Sequence, residues 1–214
     1  MGAIVIDMGG GTTSLGVFAQ GHLMHVDAVA VGGHHITMDV ARGLSTRVAV
    51  AERLKTLHGS TLSSPSDERD MISAPQADDD NETPNHVPKS QLIRIIRPRA
   101  EEILELVRDR LKGAGFAPES NGRIVLTGGG SQLTGLPELT RRVLGAQVRI
   151  GRPLGIKGLP EAAKGPAFSA GVGLLVYPQV AHVEHFEPGA GHAFFAGATD
   201  NYLSRMGRWL KESF

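Results

Sequence analysis

The sequence predicts an α/β fold in which a mixed β-sheet is flanked by helices, and three observations carry that prediction. A glycine triplet, Gly9-Gly10-Gly11, follows the apolar run Ile4-Val5-Ile6-Asp7-Met8 and precedes an alternating run, Ser14-Leu15-Gly16-Val17-Phe18. Strand patterns on both sides of the turn place this triplet inside a β-meander. A second triplet, Gly128-Gly129-Gly130, follows Ile124-Val125-Leu126-Thr127 and precedes a helical segment, so it joins a strand to a helix. Between them, Leu92, Ile95, Ile96, Ile103, Leu104, Val107 and Leu111 recur at roughly helical spacing.

The elements follow in order. Residues 3–7 read as a buried strand and 14–18 as the next. Gln20-Gly21 is a hairpin signal into a third strand over 23–31. Gly32-Gly33 punctuates the chain, and helices are expected over 37–44 and 48–57, the second ended by Gly59. Residues 60–90 hold Pro65, Pro75, Pro84 and Pro88 and the acidic run Asp78-Asp79-Asp80-Asn81-Glu82. They read as a mobile, solvated loop with one or two short edge strands. A long helix is expected over 89–111, kinked or restarted at Pro98 and closed by Gly113 and Gly115. After a strand at 124–126, a helix starts near Leu136 with Pro137 in its first turn. A short strand at 147–150 and a helix over 166–177, packed on the core, complete the body. Residues 181–200 read as a Gly-, Ala- and His-rich linker, and Asn201 suits the cap of a last helix over 201–214.

Composition narrows the function. Lys+Arg and Asp+Glu are both 22, so the net charge is zero. A general nucleic-acid binder needs a basic excess to neutralise phosphates, so none is expected as a partner. Cysteine is absent, which excludes a disulfide framework, a thiolate metal site and a thiol nucleophile. The N-terminus has no signal-peptide pattern, and the longest apolar run, 170–177, falls far short of the ~20 residues that span a bilayer.

Four groups of residues carry chemistry. Asp7 at a strand end, followed by Gly9, Gly10, Gly11, Thr12 and Thr13, offers a carboxylate, free amides and hydroxyls suited to hydrated magnesium and phosphates. Neither the P-loop spacing nor the Rossmann third glycine is present. The plainer reading is a tight turn. Gly128, Gly129, Gly130 and Ser131 make a turn that a flat ring or phosphate can approach closely; the plainer reading is a strand–helix connection. Glu52 and Lys55 share a helix face and suit a ribose and a base; the plainer reading is a solvated ion pair. Last, Leu203, Met206, Trp209, Leu210 and Phe214 share one face of the terminal helix, with Arg205, Arg208 and Lys211 alongside. A basic, aromatic helix about 21 Å long fits an anionic membrane surface and cannot span it. The plainer reading docks it on the protein's own core. The histidines, His34-His35 among them, match no metal-site spacing, and no nucleophile–base pair stands out, so no catalytic or metal-ligating residue is assigned.

Together these residues resemble the FtsA family of bacterial cell-division proteins, in the actin-like ATPase superfamily. The resemblance runs over nearly the whole chain. It rests on Val5-Ile6-Asp7-Met8-Gly9-Gly10-Gly11-Thr12-Thr13, Ala51-Glu52-Arg53-Leu54-Lys55 and Arg97-Pro98-Arg99-Ala100-Glu101-Glu102. It rests also on Val125-Leu126-Thr127-Gly128-Gly129-Gly130, Val148-Arg149-Ile150-Gly151-Arg152-Pro153 and the tail ending Trp209-Leu210-Lys211-Glu212-Ser213-Phe214.

The resemblance implies an actin-like (ribonuclease H-like) second lobe. Residues 1–35 and 122–180 would form its core subdomain and 36–121 an inserted one that receives the C-terminal tail of FtsZ, with Arg99 and Glu102 at the contact. Asp7 and Gly9 to Thr13 would serve the phosphates and Mg2+ of ATP, Glu52 and Lys55 the ribose and adenine, and Gly128 to Ser131 the adenosine. Residues 201–214 would anchor the protein peripherally to the cytoplasmic face of the membrane at the division septum. Self-association into actin-like polymers and contacts with other divisome proteins would follow. The family's first lobe normally precedes Asp7, so the chain is expected to be truncated, with half a nucleotide clamp. Nucleotide affinity would then be weak or absent, and the full-length protein at most a weak ATPase. Rival readings within the superfamily are a sugar-kinase-like enzyme and a chaperone or pilus-assembly ATPase.

Overall fold

The computed structural model describes residues 2–77, 85–119, 122–154 and 156–180. The acidic run, the linker and the terminal helix of the sequence reading lie outside them. The chain divides into Met1–Val176 and Tyr177–Phe214, and the fold below belongs to the first unit apart from the end of the last helix, Tyr177–Val180.

Strands β1 (Gly2–Met8), β2 (Thr13–Ala19) and β3 (His22–Val29) form the meander. Helices α1 (Gly33–Gly43) and α2 (Val48–His58) follow. A short pair, β4 (Met71–Ser73) and β5 (His86–Pro88), leads into the long α3 (Lys89–Gly113). Then come β6 (Arg123–Thr127), α4 (Leu136–Leu144), β7 (Gln147–Ile150) and α5 (Ser169–Val180). The main sheet runs β3-β2-β1-β6-β7. β1 is antiparallel to β2 and parallel to β6, which is parallel to β7. The sheet is therefore mixed, as the two glycine contexts required.

Pairing on both sides makes β1 the central strand. Ile4, Ile6 and Met8 on one of its faces are buried, with Leu15 and Val17 of β2 and Ile124 and Leu126 of β6. The long helix α3 buries Leu92, Ile96, Ile103, Leu104, Val107 and Leu111, and it packs on α1, α2, α4, β2 and β3. One continuous apolar core thus runs from the sheet to Val40, Ala51 and Leu54 of α1 and α2. This holds the glycine loops and α2 in fixed relation, which is what a site built across them needs.

Three expectations are refined by the structure. Helix α3 does not restart at Pro98 but continues through it as one helix. Pro98 and Arg94, whose carbonyl loses its donor, are both exposed, so water can replace the missing hydrogen bond. Residues 60–77 are mostly exposed and, with 85–90, hold the short strand pair β4–β5, as expected, but they are also anchored at several points. Ser60 bridges to Thr134, and the Thr61 amide donates to the Thr134 carbonyl at 2.9 Å. In the 3-10 turn Pro65–Glu68, Asp67 is 3% exposed, accepts from the Ser64 amide and pairs with Lys89 at 3.2 Å. Polar residues here cap and cross-link, which composition alone does not reveal. Finally, a 3-10 turn at Pro166–Phe168 precedes α5, which is largely uncovered: Val172 is buried, but Leu174 and Leu175 are 73% and 66% exposed.

Asp67 gives a pH test of the anchored segment. The Ser64 amide chiefly, against some burial, and Lys89 in addition hold its carboxyl below the ordinary Asp value. A depressed carboxyl stabilises the fold above the unfolded pKa of about 4, and that contribution disappears as pH falls through the folded value. Thermal melts of the wild type should therefore weaken on acidification. Asp67→Asn should melt lower at neutral pH and show a flatter acid limb; parallel acid limbs would contradict the assignment.

Candidate functional site

The first glycine loop closes on itself, the Gly9 amide donating to the Thr12 carbonyl at 2.9 Å. Its carbonyls then meet the start of α1: Gly33 donates to Gly9 O at 2.9 Å and His34 to Gly10 O at 2.8 Å. This is why α1 begins at Gly33 and not at Thr37: the loop takes its first amides, where a side-chain cap is absent. Such closeness requires glycine at 32, where a Cβ would lie 2.6 Å from Gly9 O and 2.7 Å from Gly10 O. The amides of Gly10 and Gly11 have no backbone partner among the described residues. They remain free for an anion.

The second loop starts at Gly128, whose φ of +85° favours glycine. Its amide donates to Pro166 O at 3.1 Å, and the Ser131 hydroxyl donates to Gly128 O at 2.7 Å. Below the loop, the Thr127 and Ser169 hydroxyls are 2.6 Å apart. Gly130 rests on Met8, so the two loops abut at the end of β1.

Helix α2 supplies the third side. Lys55 Nζ donates to Gly33 O at 3.0 Å, to Thr37 Oγ1 at 2.8 Å and to Glu52 Oε2 at 2.8 Å. Three acceptors match the three protons of an ammonium group. Thr37 Oγ1 also contacts Glu52 Oε2. Burial works against charge on Glu52, but hydrogen bonds from Lys55 and Thr37 and the Lys55 and His34 charges outweigh it, so its carboxyl titrates below the ordinary Glu value.

Loops and helix line an open cavity of about 630 Å³. Gly9, Gly10, Glu52, Lys55, Gly129 and Gly130, all expected from the sequence, line it. So do Gly33, His34, Ile36, Gln132, Leu133 and Thr134, which sequence reasoning missed. The signal for the first was Gly32-Gly33 ahead of an amphipathic helix, read only as punctuation. The volume is that of a small-molecule site, and the lining mixes apolar side chains with free amides.

Other expected residues stand behind the cavity or beside it. Thr13 is buried and donates to Val31 O at 2.8 Å, and Ser131 is spent on its own loop; both shape the cradle from within. Gly11 and Thr12 form the exposed tip of the first loop. Asp7 is half-buried and next to Gly128, and burial raises its carboxyl above the ordinary Asp value. No cationic side chain pairs with it, and no group of three or more His, Asp or Glu suited to a metal ion occurs, among the described residues.

Away from the cavity, Arg99 on α3 donates from Nε to Asp39 Oδ2 at 2.5 Å and from Nη1 to Glu102 Oε2 at 2.6 Å. Asp39 foremost, with Glu102, raises the guanidinium above its ordinary value despite some burial. Arg99 thus clips α3 to α1, while the Glu102 side chain stays half-exposed. The membrane-face residues Leu203, Met206, Trp209, Leu210 and Phe214, with Arg205, Arg208 and Lys211, lie outside the described residues. No helix among the described residues is long and apolar enough to cross a membrane.

The sequence profile described as "Cell division protein FtsA" matches residues 4–173. The chain is 59% identical, over its full length, to "Cell division protein FtsA" of Rhizobium meliloti strain 1021, and covers 48% of that protein. It is 32% identical to the protein of the same description from Escherichia coli K12, again over its full length and 52% of the relative. The chain therefore spans about half the length of the curated relatives it matches. Among solved structures, MreB5 of Spiroplasma citri bound to ADP is similar, with a TM-score of 0.64 at 16% identity, covering 86% of this chain and 56% of that one. A type IV pilus biogenesis complex of PilM and PilN contains a chain with a TM-score of 0.59 at 20% identity, covering 82% and 45%. These likenesses establish the actin-like fold.

Proposed function

The chain belongs to the FtsA family of cell division proteins, and from that membership we propose that it is the nucleotide-binding and membrane-tethering part of a division scaffold. The observation that carries the nucleotide reading is the convergence of both glycine loops and the Glu52–Lys55 face on one cavity. Solved actin-like neighbours described as bound to AMPPNP and ADP support it.

In this reading the free Gly10 and Gly11 amides hold phosphate oxygens, and Asp7 holds a hydrated Mg2+ that offsets their charge. Glu52 accepts from ribose hydroxyls. Lys55 is bound to three protein groups, so it orders the cradle and offers its aliphatic stem to the base. Ile36 and Leu133 add apolar lining, and Gly129 and Gly130 let the adenosine come close to the backbone. The exposed loop tip makes this cradle one wall of a site, so MgATP should bind in the millimolar range and turn over negligibly.

Tethering rests on two contacts, one with the membrane and one with FtsZ. The terminal helix 201–214 enters an anionic surface weakly, and self-association sums many tails on one membrane. The FtsZ tail binds near Glu102, with Arg99 holding α1 and α3 in register beneath it. Two measurements test the proposal. The chain should sediment with anionic liposomes, and deletion of 201–214 or Trp209→Glu should abolish this; unchanged sedimentation refutes the tether. Calorimetry should give only weak heats with MgATP, whereas micromolar affinity contradicts the one-wall reading.

A further inference from the structure

Thr37 does not line the cavity, yet it touches what does. Its side chain is fully buried. The hydroxyl accepts from Lys55 Nζ at 2.8 Å and has two acceptors in reach, Gly33 O at 3.2 Å and Glu52 Oε2 in closer contact. A hydroxyl has one proton, so the closer carboxylate takes it. A buried hydroxyl is costly unless its bonds are made, and valine would fill the same space without that cost. At 37 the hydroxyl joins two helices: the first turn of α1 at Gly33, and Glu52 and Lys55 on α2. Both of its links to the carboxylate, direct and through Lys55, fall on Oε2. Oε1 has no hydrogen-bond partner among the described residues.

We propose that Thr37 is a positioning residue for sugar recognition: together with Lys55 it pins Glu52 Oε2, and so presents Oε1 to the hydroxyls of a nucleotide's ribose. This rests on the nucleotide reading above. A carboxylate half-exposed at the cavity rim would otherwise sample several rotamers, and ordering it beforehand spares that cost on binding. The charged groups facing Glu52 are Lys55 and His34, and neither is changed by substitution at 37.

The experiment has two arms, on the full chain and on Thr37→Val, Thr37→Ser and Glu52→Gln, each checked by thermal melting. In the first, without ligand, the Glu52 carboxyl is titrated by carbon NMR. Its midpoint should rise in Thr37→Val and stay in place in Thr37→Ser, because only the hydroxyl donor is lost in the former. In the second, amide shifts compare MgATP with Mg-2′,3′-dideoxyATP at millimolar concentration. The wild type and Thr37→Ser should prefer MgATP by about tenfold, the worth of hydrogen bonds to a charged acceptor. Thr37→Val and Glu52→Gln should prefer neither. A folded Thr37→Val that keeps the preference overturns the proposal, as does a Glu52→Gln that keeps it or an unmoved Glu52 midpoint. If the wild type binds neither nucleotide, the nucleotide reading fails and the ribose role with it, while the first arm separately reports whether Thr37 holds Glu52.

Discussion

Replacing Lys55 with methionine is expected to lower stability by about 3 kcal/mol and to remove nucleotide binding. Methionine keeps the apolar stem and its packing, so the change isolates the ammonium group. The Lys55 side chain is only 17% exposed, and its Nζ donates to Gly33 O, Thr37 Oγ1 and Glu52 Oε2. Its loss leaves the Gly33 carbonyl and the Glu52 carboxylate short of a donor each. One ordinary surface ion pair is worth less than about 1 kcal/mol, so the expected size is itself diagnostic. Against a typical domain stability of 5–15 kcal/mol, a loss near 3 would move a urea midpoint plainly. A midpoint shifted by no more than a surface charge would cause means that Lys55 is a solvated partner of Glu52 and not the post on which α1 and α2 meet.

Gly128→Ala is expected to be more damaging still, by about 4 kcal/mol or enough to prevent folding. Two separate causes add. The φ of +85° disfavours any side chain, and a Cβ would lie 2.2 Å from Asp7 Oδ1 and 2.5 Å from Met8 O. The carboxyl could rotate away, but Met8 O belongs to β1, which is paired on both sides and cannot retreat. Gly129→Ala is the matched control. There the nearest atom to a new Cβ is Ala167 Cβ at 3.9 Å, so the change should cost under about 1 kcal/mol. Comparable losses at both positions would show that the loop tolerates no side chain anywhere, and the specific contact with β1 would then explain nothing.

The pair also shows what the sequence could and could not disclose. Both triplets were visible as strand-end loops, because glycines after β-branched runs have few other uses. The mixed sheet followed from one triplet continuing into a strand and the other into a helix. Glu52 and Lys55 were legible as one helix face, since i and i+3 is a local relation. What they face is not local. Gly33, Thr37 and the abutting loops meet through contacts over fifteen or more residues of chain, and nothing in Gly32-Gly33 or a lone threonine announces them. For the same reason Thr13 and Ser131 read as ligand hydroxyls, although each is spent on a backbone carbonyl. Residues 60–77 are largely exposed, as their composition suggests, but their anchors, Asp67 with Lys89 and Ser60 with Thr134, are polar and gave no signal. The small and apolar residues of α5 suggested burial that the described fold does not provide.

If the two glycine loops and the α2 face form one wall of a nucleotide site, MgATP at millimolar concentration should cause saturable amide shifts in the isotope-labelled chain, concentrated at Gly10, Gly11, Gly33, Gly129 and Gly130. An absence of shifts, or shifts confined to the exposed arginines Arg141 and Arg149, would contradict a nucleotide site there.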